Sequence, residues 1–256
     1  MKKNITLSLL LFCICMLAQS QNDSFQKKEF IYKGDTLRYR VLFPKNYDKS
    51  KTYPLVLFLH GSGEKGNDNT KQLVWGASLF TDSLNRQNYP AIVLFPQCPV
   101  NQSWMTITER SDTKFNLLDP KEPAKPLFLA KKLVDFVQKT EAVNRKRIYV
   151  LGLSLGGMGT FDLICRYPNL FAAAIPICGA VNVDRLKKVT KMPIRIYNGD
   201  SDNIVSPEYS RNAFIELKAD GSQQVEHIEF PGVGHNSWTP AFAEPDFLKW
   251  LFSQKK

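Results

Sequence analysis

Gly152-Leu153-Ser154-Leu155-Gly156 lies between an apolar run, 148–151, and a segment with helical patterning, 157–167. Gly-x-Ser-x-Gly at such a junction describes a sharp strand-to-helix turn that lifts the serine hydroxyl to the end of a sheet. Side chains two positions either side would meet the adjoining strand and helix, and Gly152 and Gly156 remove them. The amide of Leu155 then falls at a helix N-terminus, where free N–H groups favour negative charge. That combination suits nucleophilic attack on an acyl carbon, provided a base lies within hydrogen-bond reach of the weakly nucleophilic hydroxyl.

The chain has three histidines, His60, His227 and His235. In a strand–turn–helix frame of this kind the partners follow in the order serine, acid, histidine. His60 precedes the serine and ends an apolar run. His227 lies inside the strand-like segment 224–230, where a histidine is more often a packed residue. His235 follows that segment in Pro231-Gly232-Val233-Gly234-His235-Asn236, a glycine-rich loop able to carry it over the sheet edge, and is the expected base. The acid should follow a strand between Ser154 and His235. Asp200 and Asp202 both qualify, and spacing does not separate them; Asp184 precedes the strand. His60-Gly61-Ser62-Gly63-Glu64-Lys65-Gly66 also follows an apolar run, and its glycines let backbone approach a ligand. The amide of Ser62 is expected to pair with that of Leu155 as an oxyanion hole.

These groups need a scaffold that brings loops to one edge. Continuous apolar runs at 55–59, 91–95, 148–151, 172–177 and 194–197 read as strands buried on both faces. Residues 127–139 place Leu127, Ala130, Leu133, Val134 and Val137 on one helical face, and helices also fit 157–167, 207–218 and 240–252. Strands separated by helices imply a mostly parallel sheet. Residues 28–43, with Gly34-Asp35 between two patterned runs, read as an antiparallel hairpin before it, and 224–230 as the last strand. The proline-bearing segment 97–126 reads as a loop bordering the site, too short for a separate lid domain.

Residues 1–20 have the form of a secretory signal peptide: Lys2 and Lys3, a short apolar stretch, then Ala18-Gln19-Ser20. The expectation is a single domain over 21–256, periplasmic or secreted, with no stable membrane anchor once the leader is removed. Taking Lys2 and Lys3 from the formal charge of +10 leaves +8. Nucleic acid or acidic glycans would suit that balance, but lysines and arginines are scattered, with only 184–191 locally rich. A solvated basic surface is therefore expected, without a nucleic-acid partner. Cys98, Cys165 and Cys178 remain after the leader, an odd set with no paired spacing, which argues against a disulfide framework or a zinc site.

Six segments together resemble the α/β-hydrolase superfamily: "YPLVLFLHGSGEKGNDN", "PAIVLFPQCP", "RIYVLGLSLGGMGTFDL", "AAAIPICG", "YNGDSDNIVSP" and "GVGHNSW". More narrowly the chain resembles secreted serine esterases of the feruloyl and acetyl-xylan type, with polyhydroxybutyrate-depolymerase-like proteins and predicted peptidases. The resemblance spans roughly residues 30–252 and implies an α/β-hydrolase fold with helices on both faces of the sheet. It also selects Asp202 as the acid, three residues after Gly199. The sequence departs from the pattern at Ser206, which interrupts the usual valine-proline pair, and at Asn198, where a histidine often stands. Ester hydrolysis through an acyl-enzyme is implied, with no metal or organic cofactor, and a carbohydrate-linked ester as substrate. Gln97, Trp104 and Trp238 are candidate substrate contacts, Gln97 by its place after a strand and the tryptophans as stacking surfaces. Glu64 is a candidate anchor for the oxyanion loop. The rival readings are a small ungated serine peptidase, a lysophospholipase or carboxylesterase, and a non-catalytic glycan-binding protein on the same scaffold.

Overall fold

The computed structural model describes residues 24–111, 114–117 and 121–256. The leader expected over 1–20 lies outside them, and among the described residues no helix is long and apolar enough to cross a membrane.

Eight strands make one sheet: β1 (Gln26–Tyr32), β2 (Asp35–Leu42), β3 (Tyr53–Leu59), β4 (Ile92–Pro96), then β7 (Val143–Leu153), β8 (Ala173–Ile177), β9 (Ile194–Gly199) and β10 (Val225–Phe230). Two further strands, β5 (Ile107–Ser111) and β6 (Lys114–Leu117), pair with each other in a separate antiparallel hairpin. The order across the main sheet is β1-β2-β4-β3-β7-β8-β9-β10. β1, β2 and β4 are joined by antiparallel pairing and all later neighbours by parallel pairing. This is an α/β-hydrolase fold. The β1–β2 hairpin closes through Lys33 and Gly34, both at positive φ (51° and 86°), the backbone that suits a tight turn between right-twisted strands.

The apolar runs are strands because both of their faces are covered. Along β3, Leu55, Leu57 and Leu59 enter one core, and Val56 and Phe58 enter the other. The first core is closed by helices α3 (Lys125–Thr140), α4 (Leu155–Arg166) and α5 (Glu208–Ala219). The second is closed by α1 (Ala77–Thr81), α6 (Trp238–Ala243) and α7 (Phe247–Ser253). Every parallel strand therefore ends at the same edge, which is where the loops after β3, β7, β9 and β10 emerge.

Several elements differ from the sequence reading. The helix expected over 240–252 is two helices, because Pro245 cannot donate an N–H and turns Glu244 out of the helical region (ψ 124°). Residues 97–126 are not wholly irregular, since they hold the β5–β6 hairpin and the start of α3. The unforeseen α1 and α2 (Ser83–Asn88) fill the connection before β4, and the Asp82 carboxylate caps α2 by accepting from the amides of Leu84 and Asn85. β7 begins at Val143, earlier than its apolar run, because Asn144, Arg145, Lys146 and Arg147 precede it in extended form.

Helix α4 carries the serine at its N-terminus and is fixed by one buried ion cluster. Asp162 accepts from Arg166 (2.9 Å) and pairs ionically with Arg185 (2.5 Å) on the following 3-10 turn, and all three side chains are almost wholly buried. Removing the carboxylate takes the countercharge from two desolvated guanidinium groups. Asp162→Ala should cost about 3–5 kcal/mol of unfolding free energy, read by denaturant melts.

Candidate active site

Ser154 stands between β7 and α4 with φ 54° and ψ −119°, a region that a side-chain-bearing residue rarely occupies. The surroundings enforce it. Its N–H donates to Ile177 O (2.9 Å), and the amide of Met158 donates to Ser154 O (3.0 Å). A Cβ on Gly156 would lie 1.9 Å from Leu59 O, and one on Gly152 would lie 2.4 Å from Gly156 O and 2.7 Å from Leu59 O. The turn therefore exists only because strand β3 and helix α4 touch backbone to backbone.

Two loops deliver the partners of Ser154. After β9, Asp202 is fixed by the amides of Ile204 (2.9 Å) and Val205 (3.0 Å), both donating to Oδ1. Its Oδ2 faces Nδ1 of His235 at 2.7 Å, and Nε2 of His235 faces Oγ of Ser154 at 2.9 Å. The Asp202 side chain is wholly buried, while the imidazole remains partly exposed. The carboxylate that reaches the base is thus that of Asp202. Asp200 serves the loops instead: its Oδ1 accepts from the amide of Gly232 and from the hydroxyl of Ser201, each at 2.8 Å. Gly199 completes this seat, since a Cβ there would lie 2.0 Å from Val233 O. His227 points elsewhere, its Nε2 on Asn198 Oδ1, and Asn198 in turn donates to Glu229.

The loop after β3 turns through Ser62–Glu64, a single 3-10 turn. Ser62 and Leu155 each open a helical segment, so neither amide has an acceptor within its own turn. The loop is stapled from behind. Cys98 N–H donates to Nε2 of His60 (2.9 Å), which leaves Nδ1 of His60 as the donor to Gly61 O (2.6 Å). Burial pushes the imidazole down to about 4, so the ring is neutral at ordinary pH.

Gln97 and Trp104, candidate substrate contacts by sequence, are buried and engaged in this scaffold. Gln97 is buried, accepting from the amide of Asn69 (2.7 Å) and donating to Asp68 Oδ1 (2.9 Å) and Glu64 O (3.3 Å). Its polar atoms are spent holding the loop's backbone. Trp104 has no exposed surface, packs edge-on to His60, and donates its indole N–H to His60 O (3.0 Å). A ring sealed in the core offers no stacking face. Trp238 is only partly buried and meets the His235 ring edge-on, 5.5 Å between centroids. Its other aromatic neighbour is Trp75, at 5.7 Å. Nothing in the local sequence marks Trp75, since its place beside the site depends on how the loop between β3 and α1 folds back.

Among the described residues, one cluster brings three metal-ligating side chains together, namely Cys178, Asp202 and His235, with ligand atoms within 4.8 Å of one another. Its donors are already engaged. Both Asp202 oxygens accept hydrogen bonds, and burial pushes the Cys178 thiol up to about 12, so it stays protonated. The cluster is a base–acid pair with a buried thiol beneath it.

Residues 33–238 match the family described as "Putative esterase". The chain belongs to that esterase family. A solved thermostable esterase is 35% identical, with a TM-score of 0.85, and the match covers 92% of this chain and 64% of that one. A bifunctional acetylxylan esterase/xylanase of Neocallimastix patriciarum is 24% identical over 196 residues. That alignment takes in 73% of this chain and 26% of the fungal protein, so the chain spans about a quarter of that relative's length. A ferulic acid esterase of Anaeromyces mucronatus, solved in complex with ferulic acid, shares the fold at 14% identity (TM-score 0.64, covering 88% of this chain and 89% of that one).

Two measurements test how this chain builds its site. Gly156→Ala places a methyl group inside the Leu59 carbonyl, so the variant should be either insoluble or folded with its serine displaced. In both cases reaction with a fluorophosphonate should be lost. His60 is neutral when folded and titrates near 6.5 when unfolded, so only the unfolded chain gains this proton as pH falls from about 6.5 to about 4. Stability should therefore decline across that window, by about 3 kcal/mol from this one group. Urea melts of wild type and His60→Gln at pH 7 and pH 4.5 should show the smaller decline in the variant.

Proposed function

We propose that this chain hydrolyses carboxylic esters through a serine acyl-enzyme, acting outside the cytoplasm on feruloyl or acetyl side groups of plant polysaccharides. The observation that carries the chemistry is the single imidazole of His235 set between Asp202 (2.7 Å) and Ser154 (2.9 Å). Nδ1–H of His235 donates to Asp202, which leaves Nε2 free to take the hydroxyl proton as Oγ attacks the ester carbon. The carbonyl oxygen becomes an oxyanion, held by the amides of Ser62 and Leu155. The C–O bond to the alcohol then breaks, and the alcohol leaves with the proton from Nε2. Water, deprotonated by the same nitrogen, attacks the acyl-enzyme, releases the acid and restores the serine. Asp202 keeps its negative charge throughout and stabilises the imidazolium.

The substrate class rests on thinner support: the apparent leader at 1–20, and the fold and distant sequence likeness to acetylxylan and ferulic acid esterases. Purified protein offered 4-nitrophenyl acetate and methyl ferulate should turn over both. Ser154→Ala should lower kcat by about 10⁴ or more, and Asp202→Asn by about 10⁴, with the fold intact by circular dichroism. Undiminished turnover in Ser154→Ala would sink the mechanism. Cleavage of peptide amides without ester turnover would instead favour a peptidase. A folded protein that neither turns over esters nor reacts with a fluorophosphonate would favour a binding role.

A further inference from the structure

Trp75 is 39% exposed, yet it is not a loose surface side chain. Burial pushes the carboxyl of the buried Glu64 up, and the Trp75 indole N–H and the amides of Gly61 and Glu64 pull it back. Glu64 shares its 3-10 turn with Ser62, so Trp75 stands beside the loop that follows β3. The Trp75 ring lies tilted at 54° against Trp238, and Trp238 stands at 86° to His235. The two indoles thus form a fixed corner beside the base. Val74, the residue before Trp75, is 60% exposed, and Ile204, two residues past Asp202, is 41% exposed. An exposed aromatic face beside this imidazole is surface that a substrate can cover.

Building on the serine-esterase reading, we propose that Trp75, backed by Trp238, is the specificity-determining wall of the site and receives a flat aromatic group of the ester. The chemistry favours an aromatic ring over a bare sugar. A pyranose stacked on an indole still needs polar partners for its hydroxyls. The Trp238 N–H is buried, and the apolar side chains of Val74 and Ile204 supply none. What the corner offers is π-face and apolar edge, which match an aromatic ring. The ring belongs to the acid half or to the alcohol half of the ester, and the two are separable by experiment.

Three esters make the test: methyl cinnamate, with its ring in the acid; phenyl acetate, with its ring in the alcohol; and ethyl butyrate, with none. Hydrolysis is followed by pH-stat for wild type, Trp75→Ala and Trp75→Phe. Trp75→Ala should lower kcat/KM about tenfold for one of the aromatic esters. Ethyl butyrate should stay within twofold, and Trp75→Phe should recover most of the loss. Loss on methyl cinnamate places the ring in the acid half, and loss on phenyl acetate places it in the alcohol half. Equal loss on all three esters would mean that Trp75 only supports the loop, and no loss on any would mean that it touches nothing; either overturns the proposal. Recovery absent in Trp75→Phe while ethyl butyrate also falls counts against it in the same way. Should wild type hydrolyse none of the three and resist a fluorophosphonate, the esterase reading itself fails, and this wall falls with it.

Discussion

The structure turns on one close approach, the backbone of Gly156 against the carbonyl of Leu59. Strand β3 ends at that carbonyl, and the loop of His60, Gly61 and Ser62 begins immediately after it. Helix α4 begins one residue before Gly156, at Leu155. Bringing the two backbones together therefore sets the serine turn and the start of the loop after β3 in one step. The cost is a serine held at φ 54°, a conformation worth about 1–3 kcal/mol of strain that persists only because its neighbours leave no alternative. Packing of β3 and β7 on both faces, and the Asp162 cluster on α4, supply that constraint.

The second half of the site follows the same logic with a different pair of segments. Gly199 has no side chain, so the loop after β10 settles directly onto the end of β9. Asp200 then bonds the amide of Gly232, so the acid loop and the histidine loop are joined before Asp202 meets His235. A carboxylate outside the Asp202–His235–Ser154 chain of contacts thereby fixes the distance within it. On the opposite side, Gln97, Trp104 and His60 play the equivalent part for the loop after β3. The reacting groups are few, and most of the polar residues nearby exist to hold backbone still.

How much of this was legible in the sequence depended on the range of the signal. The elbow was readable because Gly152, Ser154 and Gly156 act within five residues, and the strands because burial on both faces leaves runs such as 55–59. The order of serine, acid and histidine narrowed the base to His235. Choosing between Asp200 and Asp202 required family likeness, because which carboxylate turns inward is settled by amides at 204, 205 and 232. Gln97 and Trp104 looked available at a strand's end, yet the loops that bury them come from elsewhere in the chain. Residue type does not reveal whether a side chain will be needed as internal bracing. The break at Pro245 was visible in the sequence but was outweighed by the apolar pattern on either side of it. The β5–β6 hairpin left no comparable trace, and its strands pair with each other rather than with the main sheet.

The cysteines carry one consequence beyond the site. Cys98, Cys165 and Cys178 are buried thiols outside any disulfide, and burial pushes Cys98 and Cys178 up to about 12. A thiol-specific alkylating reagent therefore meets almost no thiolate in the native state, and each cysteine becomes a built-in clock for opening. Cys98 times release of the segment behind the oxyanion loop, Cys165 the loosening of helix α4, and Cys178 the parting of β8 from the serine turn. Their relative alkylation rates under mild denaturant would rank the order in which the catalytic edge comes apart, without any label being introduced.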